Sequence, residues 1–206
     1  MSSTPYFNDV AKNWDTMRSS FFPEAVRVQA LAAAAVERGA LAADIGAGSG
    51  FVTEALLKAG LHVVAIDPSP AMLDVMRGKF EGQAVRFELG EADHLPLDDF
   101  SVDYVFGNMV LHHVENPPEA IQEMVRILRP GGKLVITDLD SHTFTFLREE
   151  QHDRWMGFER PDMQQWFEQA GLRETRVECV GSNCCADSAC GSQRADVSIF
   201  LAYGIK

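Results

Sequence analysis

Basic residues are scarce in this chain. Eighteen lysines and arginines stand against thirty aspartates and glutamates, a formal net charge of −12 at pH 7. Phosphate backbones are gripped by clustered Lys and Arg, and no basic stripe with interleaved aromatics occurs, so nucleic acid is not expected as a partner. Long apolar runs are missing too: Ala30 to Val36 falls far short of a membrane span. The opening Met-Ser-Ser-Thr-Pro-Tyr-Phe-Asn-Asp has neither the cationic nor the apolar region of a secretion signal. A cytoplasmic location with reduced thiols is the expectation. Cysteine is rare and unevenly spread, with four in 206 residues and none before Cys179. The C-x4-C-C-x4-C spacing of Cys179, Cys184, Cys185 and Cys190 is not the paired C-x2-C of zinc ribbons, so no resident metal is expected from it.

What remains has ordinary globular composition, 46% hydrophobic and 23% charged. A chain of this length buries enough apolar surface to fold without staples and reads as one domain, residues 1–206. Pro23 to Arg38 has proline near its first turn and Gly39 after its end, the signature of a helix. Short apolar strands are expected at Leu41–Ile45, His62–Ile66, Ala84–Leu89, Val102–Phe106 and Lys133–Thr137. Helical segments separate them, at about Phe51–Lys58, after the Ser69-Pro70 cap, and at Pro118–Leu128. Strands alternating with helices imply a parallel sheet covered on both faces. Residues 141–170 are polar and aromatic, expected to be partly helical and to end in a helix from Pro161 to Ala170. Two last strands, Glu174–Val180 and Ala195–Tyr203, bracket a Gly/Ser/Asn/Cys loop (181–195) and suggest an antiparallel pair at one sheet edge.

The chemistry concentrates where the first strand turns into the following helix, at Asp44-x-Gly46-x-Gly48-x-Gly50. Glycines there allow a tight turn and close approach of a ligand to the main chain. A dinucleotide fingerprint, Gly-x-Gly-x-x-Gly, would need its third glycine at position 51, which is Phe51. Asp44 would oppose a pyrophosphate but attract a cationic amino group. S-adenosylmethionine carries an ammonium and a sulfonium and no phosphate, so it suits this loop better than NAD. Asp67, at the tip of the second strand, can accept from both ribose hydroxyls, and Pro68 holds its backbone extended. A plainer alternative is that Asp44 and Asp67 are cap or turn residues.

Further segments follow in order: Gly90-Glu-Ala-Asp-His-Leu-Pro96, Asn108-Met-Val-Leu-His-His-Val114 and Leu128-Arg-Pro-Gly-Gly-Lys-Leu134. With the glycine loop, they make the chain resemble a class I S-adenosylmethionine-dependent methyltransferase over roughly residues 6 to 140. The resemblance is greatest to the group that includes ubiquinone/menaquinone-type and arsenite-type enzymes. It implies a Rossmann-like, doubly wound α/β sheet of seven strands, six parallel and one antiparallel, with helices on both faces. It also implies S-adenosyl-L-methionine as cofactor. Gly46, Ala47, Gly48 and Gly50 would line its methionine part, Asp67 and Pro68 its ribose, and Met72 its adenine. Ala92 would offer a backbone amide and Asp93 a carboxylate to the base, with Glu91 standing where Asp is commoner. Asn108 would lie below the sulfonium. Tyr6 belongs to a segment, residues 1–22, that resembles the group's lid.

Methyl transfer from a sulfonium is an in-line displacement in which the protein mainly aligns the nucleophile and excludes water. No triad is therefore required. Candidate bases are His112, His113, His142 and His152, each of which is also a plausible structural histidine. No Asn-Pro-Pro-aromatic tetrapeptide follows the fourth strand, which disfavours amine methylation of adenine or glutamine. The segment 141–170 would face the acceptor, and Trp155, Phe158 and Trp166 either wall its pocket or belong to the core. Cys184, Cys185 and Cys190 are candidates for holding a soft metalloid, since the loop carrying them would emerge at the ligand-binding edge of the sheet. The expected partner is a small-molecule acceptor, with a monomer and a homodimer equally open. Two other readings stay open: a non-catalytic cofactor-binding sensor, and an NAD-dependent oxidoreductase, which Phe51 and Asp44 oppose.

Overall fold

The computed structural model describes residues 3–206, so the first two residues of the expected lid lie outside the described part. Seven strands form one sheet: β1 (Leu41–Ile45), β2 (His62–Asp67), β3 (Val85–Leu89), β4 (Val102–Asn108), β5 (Leu128–Leu139), β6 (Arg173–Asp187) and β7 (Arg194–Ile205). Their spatial order is β3-β2-β1-β4-β5-β7-β6. Parallel pairing joins β1 through β5, while β7 runs antiparallel to both β5 and β6. Six strands thus share one direction and β7 opposes them, as expected.

The central strands are apolar on both faces because both faces are covered. On one side α3 (Ala25–Ala34) and α4 (Phe51–Lys58) bury Val26, Ala30, Val52 and Leu56 against Ala42, Val63 and Tyr104. On the other, α6 (Pro117–Ile127) and α8 (Arg160–Gln169) bury Ile121, Met124, Met163 and Phe167 against Ala43, Val105 and Ile136. Two short helices, α1 (Thr4–Val10) and α2 (Trp14–Phe21), precede this sandwich. The remaining helices are α5 (Pro70–Lys79) and α7 (Thr145–Glu150).

Chain order reverses between β1 and β4: from β1 the chain passes outward to β2 and β3, then returns to β4 on the other side of β1. Open α/β sheets bind ligands in the crevice that such a reversal leaves. The glycine loop after β1 and the residues after β4 meet there.

Three boundaries differ from the sequence expectation. Helix α3 stops at Ala34 because Ala35 adopts a left-handed backbone (φ 46°), ahead of Gly39. Strand β5 begins at Leu128, pairing with Val102, before its regular register resumes at Lys133. The Cys-containing segment 181–195 is mostly not a loop. Strand β6 runs on to Asp187 and pairs Asn183 through Asp187 with Ser198 through Arg194, past an irregularity between Cys179 and Asn183. Cys184 and Cys185 therefore sit in a strand, and Cys190 alone occupies the six-residue turn 188–193.

Candidate functional site

Two glycines of the loop are required by geometry. Gly46 has φ +64°, and a Cβ there would lie 2.4 Å from Val110 Cγ2. Gly50, the residue before α4, has φ +93°, and its Cβ would lie 2.4 Å from Phe80 Cε2. Only a residue without a side chain fits either position.

The two acids flanking the loop do different work. Asp67 Oδ2 accepts from Gly48 N (2.7 Å) and Oδ1 from Ser69 N (2.8 Å), so the strand tip holds the loop in place. A carboxylate offers about four acceptor sites, which leaves Asp67 free positions toward the crevice it lines. Burial, with the nearby Glu91 charge, pushes its pKa up to about 6. Asp44 is bound to the helix that follows the loop. Its Oδ2 accepts from Thr53 N (2.8 Å) and Thr53 Oγ1 (2.6 Å) in the first turn of α4, and the residue is 1% exposed. Asp44 Oδ2 is thus committed to the helix start, and Asp44 is not among the residues that line the crevice. Burial pushes its pKa up to about 7.

The crevice has a volume of about 1050 Å³, part of it open to solvent. Gly46, Ala47, Gly48, Asp67, Pro68, Met72 and Asn108 line one end. Asn108 Oδ1 accepts from Thr137 Oγ1 (2.8 Å), which fixes its amide at the tip of β4. Helices α1 and α2 cover this end. Phe7 and Trp14 line it from above, and Trp14 Nε1 would be 3.5 Å from a Cβ on Gly48. The cover is tied down at three points. Asn8 Oδ1 accepts from Ser69 Oγ (2.7 Å), Asp15 Oδ1 accepts from Ser49 Oγ (2.5 Å), and Asp15 pairs with Lys79. Tyr6 lies outside the lining. Its hydroxyl donates to Gln151 Oε1 (2.8 Å) and its ring packs on His152, so it fastens the cover to the segment after β5.

Arg18, on α2, was not singled out from the sequence. It lines the crevice with its guanidinium 4.1 Å from the Phe51 ring centre. Its Nε is buried without a hydrogen-bond partner among the described residues, and its one ion pair among them, to Glu24, is long at 3.5 Å. An underused, partly buried cation beside the glycine loop is suited to a carboxylate.

The other end of the crevice combines apolar residues (Phe21, Phe22, Leu139, Leu147) with a polar cluster. His112 is 6% exposed, and its Nδ1 lies 2.6 Å from Asp138 Oδ1. Asp138 is fixed by two further amides, Leu111 N and Leu139 N. Asp153 Oδ1 is 3.7 Å from His112 Nε2 and 4.0 Å from His113 Nδ1. Burial alone would push the His112 imidazolium down, but the Asp138 and Asp153 carboxylates outweigh it and hold its pKa at about 9. His113, buried beside that charge, is pushed well down.

Of the candidate bases, His112 and His113 reach the crevice, while His142 and His152 lie outside its lining. Glu91, Ala92 and Asp93 occupy the turn after β3, also outside it, and Gly50 is replaced there by Ser49. Trp155, Phe158 and Trp166 do not line it either, and Phe158 and Trp166 pack with the core. Among the four thiols only Cys184 does. Sequence reasoning missed Arg18, Trp14, Asp138 and Asp153. Asp138 had a readable signal: like Asp67, it is an acid at the carboxyl tip of an apolar central strand.

A switch-point crevice with a glycine loop, an acid at the neighbouring strand tip and no pyrophosphate-type third glycine defines an α/β ligand-binding fold whose crevice suits a nucleoside without phosphates. The comparisons agree. A methyltransferase-domain family model matches residues 43–136. The chain is 44% identical over 128 residues to an uncharacterised methyltransferase of Mycobacterium tuberculosis, covering 62% of this chain and 49% of that protein. It is 34% identical over 146 residues to a demethylmenaquinone methyltransferase of Clavibacter sepedonicus (69% and 60% covered). With a ubiquinone biosynthesis O-methyltransferase of Coxiella burnetii it shares 27% over 187 residues (81% and 80%). In fold it is similar to a chain from the complex of the Haloferax volcanii Trm112 methyltransferase activator with a methyltransferase, with TM-score 0.80, 23% identity and coverage of 99% and 97%. The chain spans about half the length of the first curated relatives it matches. Residues 43–136 thus match a methyltransferase domain, and the relatives found over this part of the chain are named as methyltransferases.

Proposed function

We propose that this domain transfers a methyl group from S-adenosylmethionine to a small-molecule acceptor by in-line displacement. One observation carries the reading: a single crevice runs from the glycine loop and Asp67, past Asn108, to an apolar chamber walled by Phe21, Phe22, Leu139 and Leu147. Donor and acceptor can therefore lie in one water-poor space, the arrangement that displacement needs. In this reading Asp67 takes the ribose hydroxyls and Gly46 to Gly48 the methionine chain. Arg18 takes the α-carboxylate, Met72 packs on the base and Asn108 lies below the sulfonium. Phe7 and Trp14 close the cover. The acceptor is largely apolar, to match its chamber, and carries an oxygen that meets the His112–His113 wall. Two relatives named for quinone biosynthesis support an acceptor of that kind.

Cys184 is the one thiol on the crevice, whereas a soft metalloid is best held by several thiolates together. The small-molecule reading is preferred for that reason.

The test is calorimetry with S-adenosylhomocysteine and with NAD, followed by turnover on hydroxylated aromatic acceptors. S-adenosylhomocysteine is expected to bind and NAD not to, with Asp67→Ala weakening the former by roughly tenfold or more, the loss of about one charge-assisted hydrogen bond. Undiminished affinity in that variant would remove the cofactor assignment. Binding without methyl transfer to any acceptor would favour the sensor reading.

A further inference from the structure

We propose that His112, His113 and Asp153 form a binding site for a divalent transition-metal ion of the zinc or cobalt type, with its open face toward the acceptor chamber. One potential ligand atom from each residue falls within a sphere where all lie within 4.8 Å of one another. In a tetrahedral zinc site with bonds of about 2.0–2.1 Å, ligand atoms sit roughly 3.3 Å apart. The separations of 3.7 Å (His112 Nε2 to Asp153 Oδ1) and 4.0 Å (His113 Nδ1 to the same oxygen) reach that geometry by a small contraction once His113 Nδ1 exchanges its 3.4 Å contact with the His152 carbonyl for the ion.

Two further observations point the same way. The first is the support behind His112. A metal-bound histidine commonly donates its other ring N–H to a carboxylate, which fixes the tautomer and aims the free nitrogen. Asp138 occupies that place at 2.6 Å from Nδ1, and is itself anchored by two backbone amides, leaving Nε2 directed at Asp153. The second is Asp153. It is 5% exposed, and no hydrogen-bond donor among the described residues reaches its carboxylate. Buried carboxylates are ordinarily hydrogen-bonded, paired or bound to a metal. This one faces the His112 imidazolium at 3.7 Å and His113 at 4.0 Å, near enough for charge pairing and too far for a hydrogen bond, so a bound ion would take the place of the proton on His112 Nε2.

All three residues line the crevice, so an ion held by them keeps a coordination position open to it. Two nitrogens and one carboxylate oxygen suit zinc, cobalt or iron better than magnesium, which prefers an all-oxygen shell. The inference rests on the reading of that chamber as the acceptor site and narrows the acceptor to one with a hydroxyl or enol oxygen. The ion polarises that oxygen, whose proton passes to solvent. An oxygen lone pair then forms the C–O bond to the methyl carbon as the C–S bond breaks, its electron pair remaining on sulfur in S-adenosylhomocysteine.

The experiment is titration of the metal-stripped full chain with cobalt(II), read by visible absorption, and with zinc, read by calorimetry. The panel comprises the wild type, His113→Ala, the isosteric Asp153→Asn, and a variant with all four cysteines replaced by serine. One equivalent is expected to bind, with affinity reduced at least tenfold in His113→Ala and in Asp153→Asn and retained in the cysteine-free variant. Binding that disappears with the thiols but survives His113→Ala would overturn the site, as would no stoichiometric binding in the wild type. S-adenosylhomocysteine affinity, measured on the same samples, separates the two proposals. Cofactor binding without metal binding removes this one alone, and metal binding without cofactor binding removes the other.

Discussion

At the scale of single residues, Asp44 and Asp67 look alike in the sequence and differ in what surrounds them. Asp44 spends its oxygen on the Thr53 amide and hydroxyl, out of contact with the crevice. Asp67 spends its oxygens on the amides of Gly48 and Ser69 but lines the crevice. Their alanine variants should therefore fail in opposite ways. Asp44→Ala leaves a buried amide and hydroxyl unsatisfied, a loss of about 3 kcal/mol, or roughly 6–12 °C in Tm for a chain of this size. Its affinity for S-adenosylhomocysteine, measured below that temperature, should stay within a few-fold of wild type. Asp67→Ala should show the reverse weighting, with affinity the larger loss. Differential scanning calorimetry beside isothermal titration would expose the contrast, and equal affinity losses in both variants would refute the division. Gly46→Ala belongs with neither. Its methyl would meet the β-branched Val110 in a left-handed backbone, so it should lower both stability and affinity.

Among elements, the cover formed by α1 and α2 is the piece whose role depends on contacts outside itself. Neither helix has a buried residue of its own. What fixes them is Asn8 on Ser69, Asp15 on Ser49 and Lys79, and Tyr6 on Gln151. An element held by a few polar ties opens at lower cost than the core does. Asp15→Ala should raise the Kd for S-adenosylhomocysteine roughly three- to tenfold through the loss of its ties to Ser49 and Lys79, both partly open to solvent. Limited proteolysis should cut α1–α2 faster in that variant, and saturating ligand should slow the cut in the wild type. A cleavage rate indifferent to ligand would mean that the cover does not close on the crevice.

The same scale shows what was legible beforehand. Strands β1, β2 and β4 were readable because burial on both faces makes them continuous apolar runs. The loop glycines were readable because positive φ and close approach leave few residue choices. The far half of β6 was not. Asn183, Cys184 and Cys185 have little strand preference of their own, and their extended form comes from pairing with β7. Asp153 escaped notice for a similar reason. It lies in an irregular segment whose path across His112 is set by tertiary bonds, Arg154 N and Trp155 N both donating to the His112 carbonyl.

For the whole molecule, acidity is the governing property. The net charge is −12, and the two acids that flank the glycine loop are buried with pKa values pushed up to about 7 for Asp44 and about 6 for Asp67. A carboxyl whose folded pKa exceeds its unfolded value binds protons more tightly when folded. Its stabilising contribution is present below about pH 4 and is lost as pH rises through the folded pKa. Both groups therefore make the ligand-free protein less stable as pH rises from about 4 to 7, and self-repulsion of the excess negative charge acts in the same sense. Below that window the trend turns over, because Asp15, Glu54 and Glu123 have lowered pKa values and lose their stabilising contacts on protonation. Asp44 is the cleaner of the two to isolate, since it does not line the crevice. The charged group that acts on it is Asp67, and among the described residues its hydrogen-bond donors come from Thr53. Asp44→Asn keeps an acceptor for Thr53 and removes the titration. The wild type should thus show a Tm several degrees higher at pH 5.5 than at pH 8, and the asparagine variant a visibly smaller difference. A wild-type Tm that is flat or climbing toward pH 8, or an unchanged slope in Asp44→Asn, would show that Asp44 does not titrate in this window.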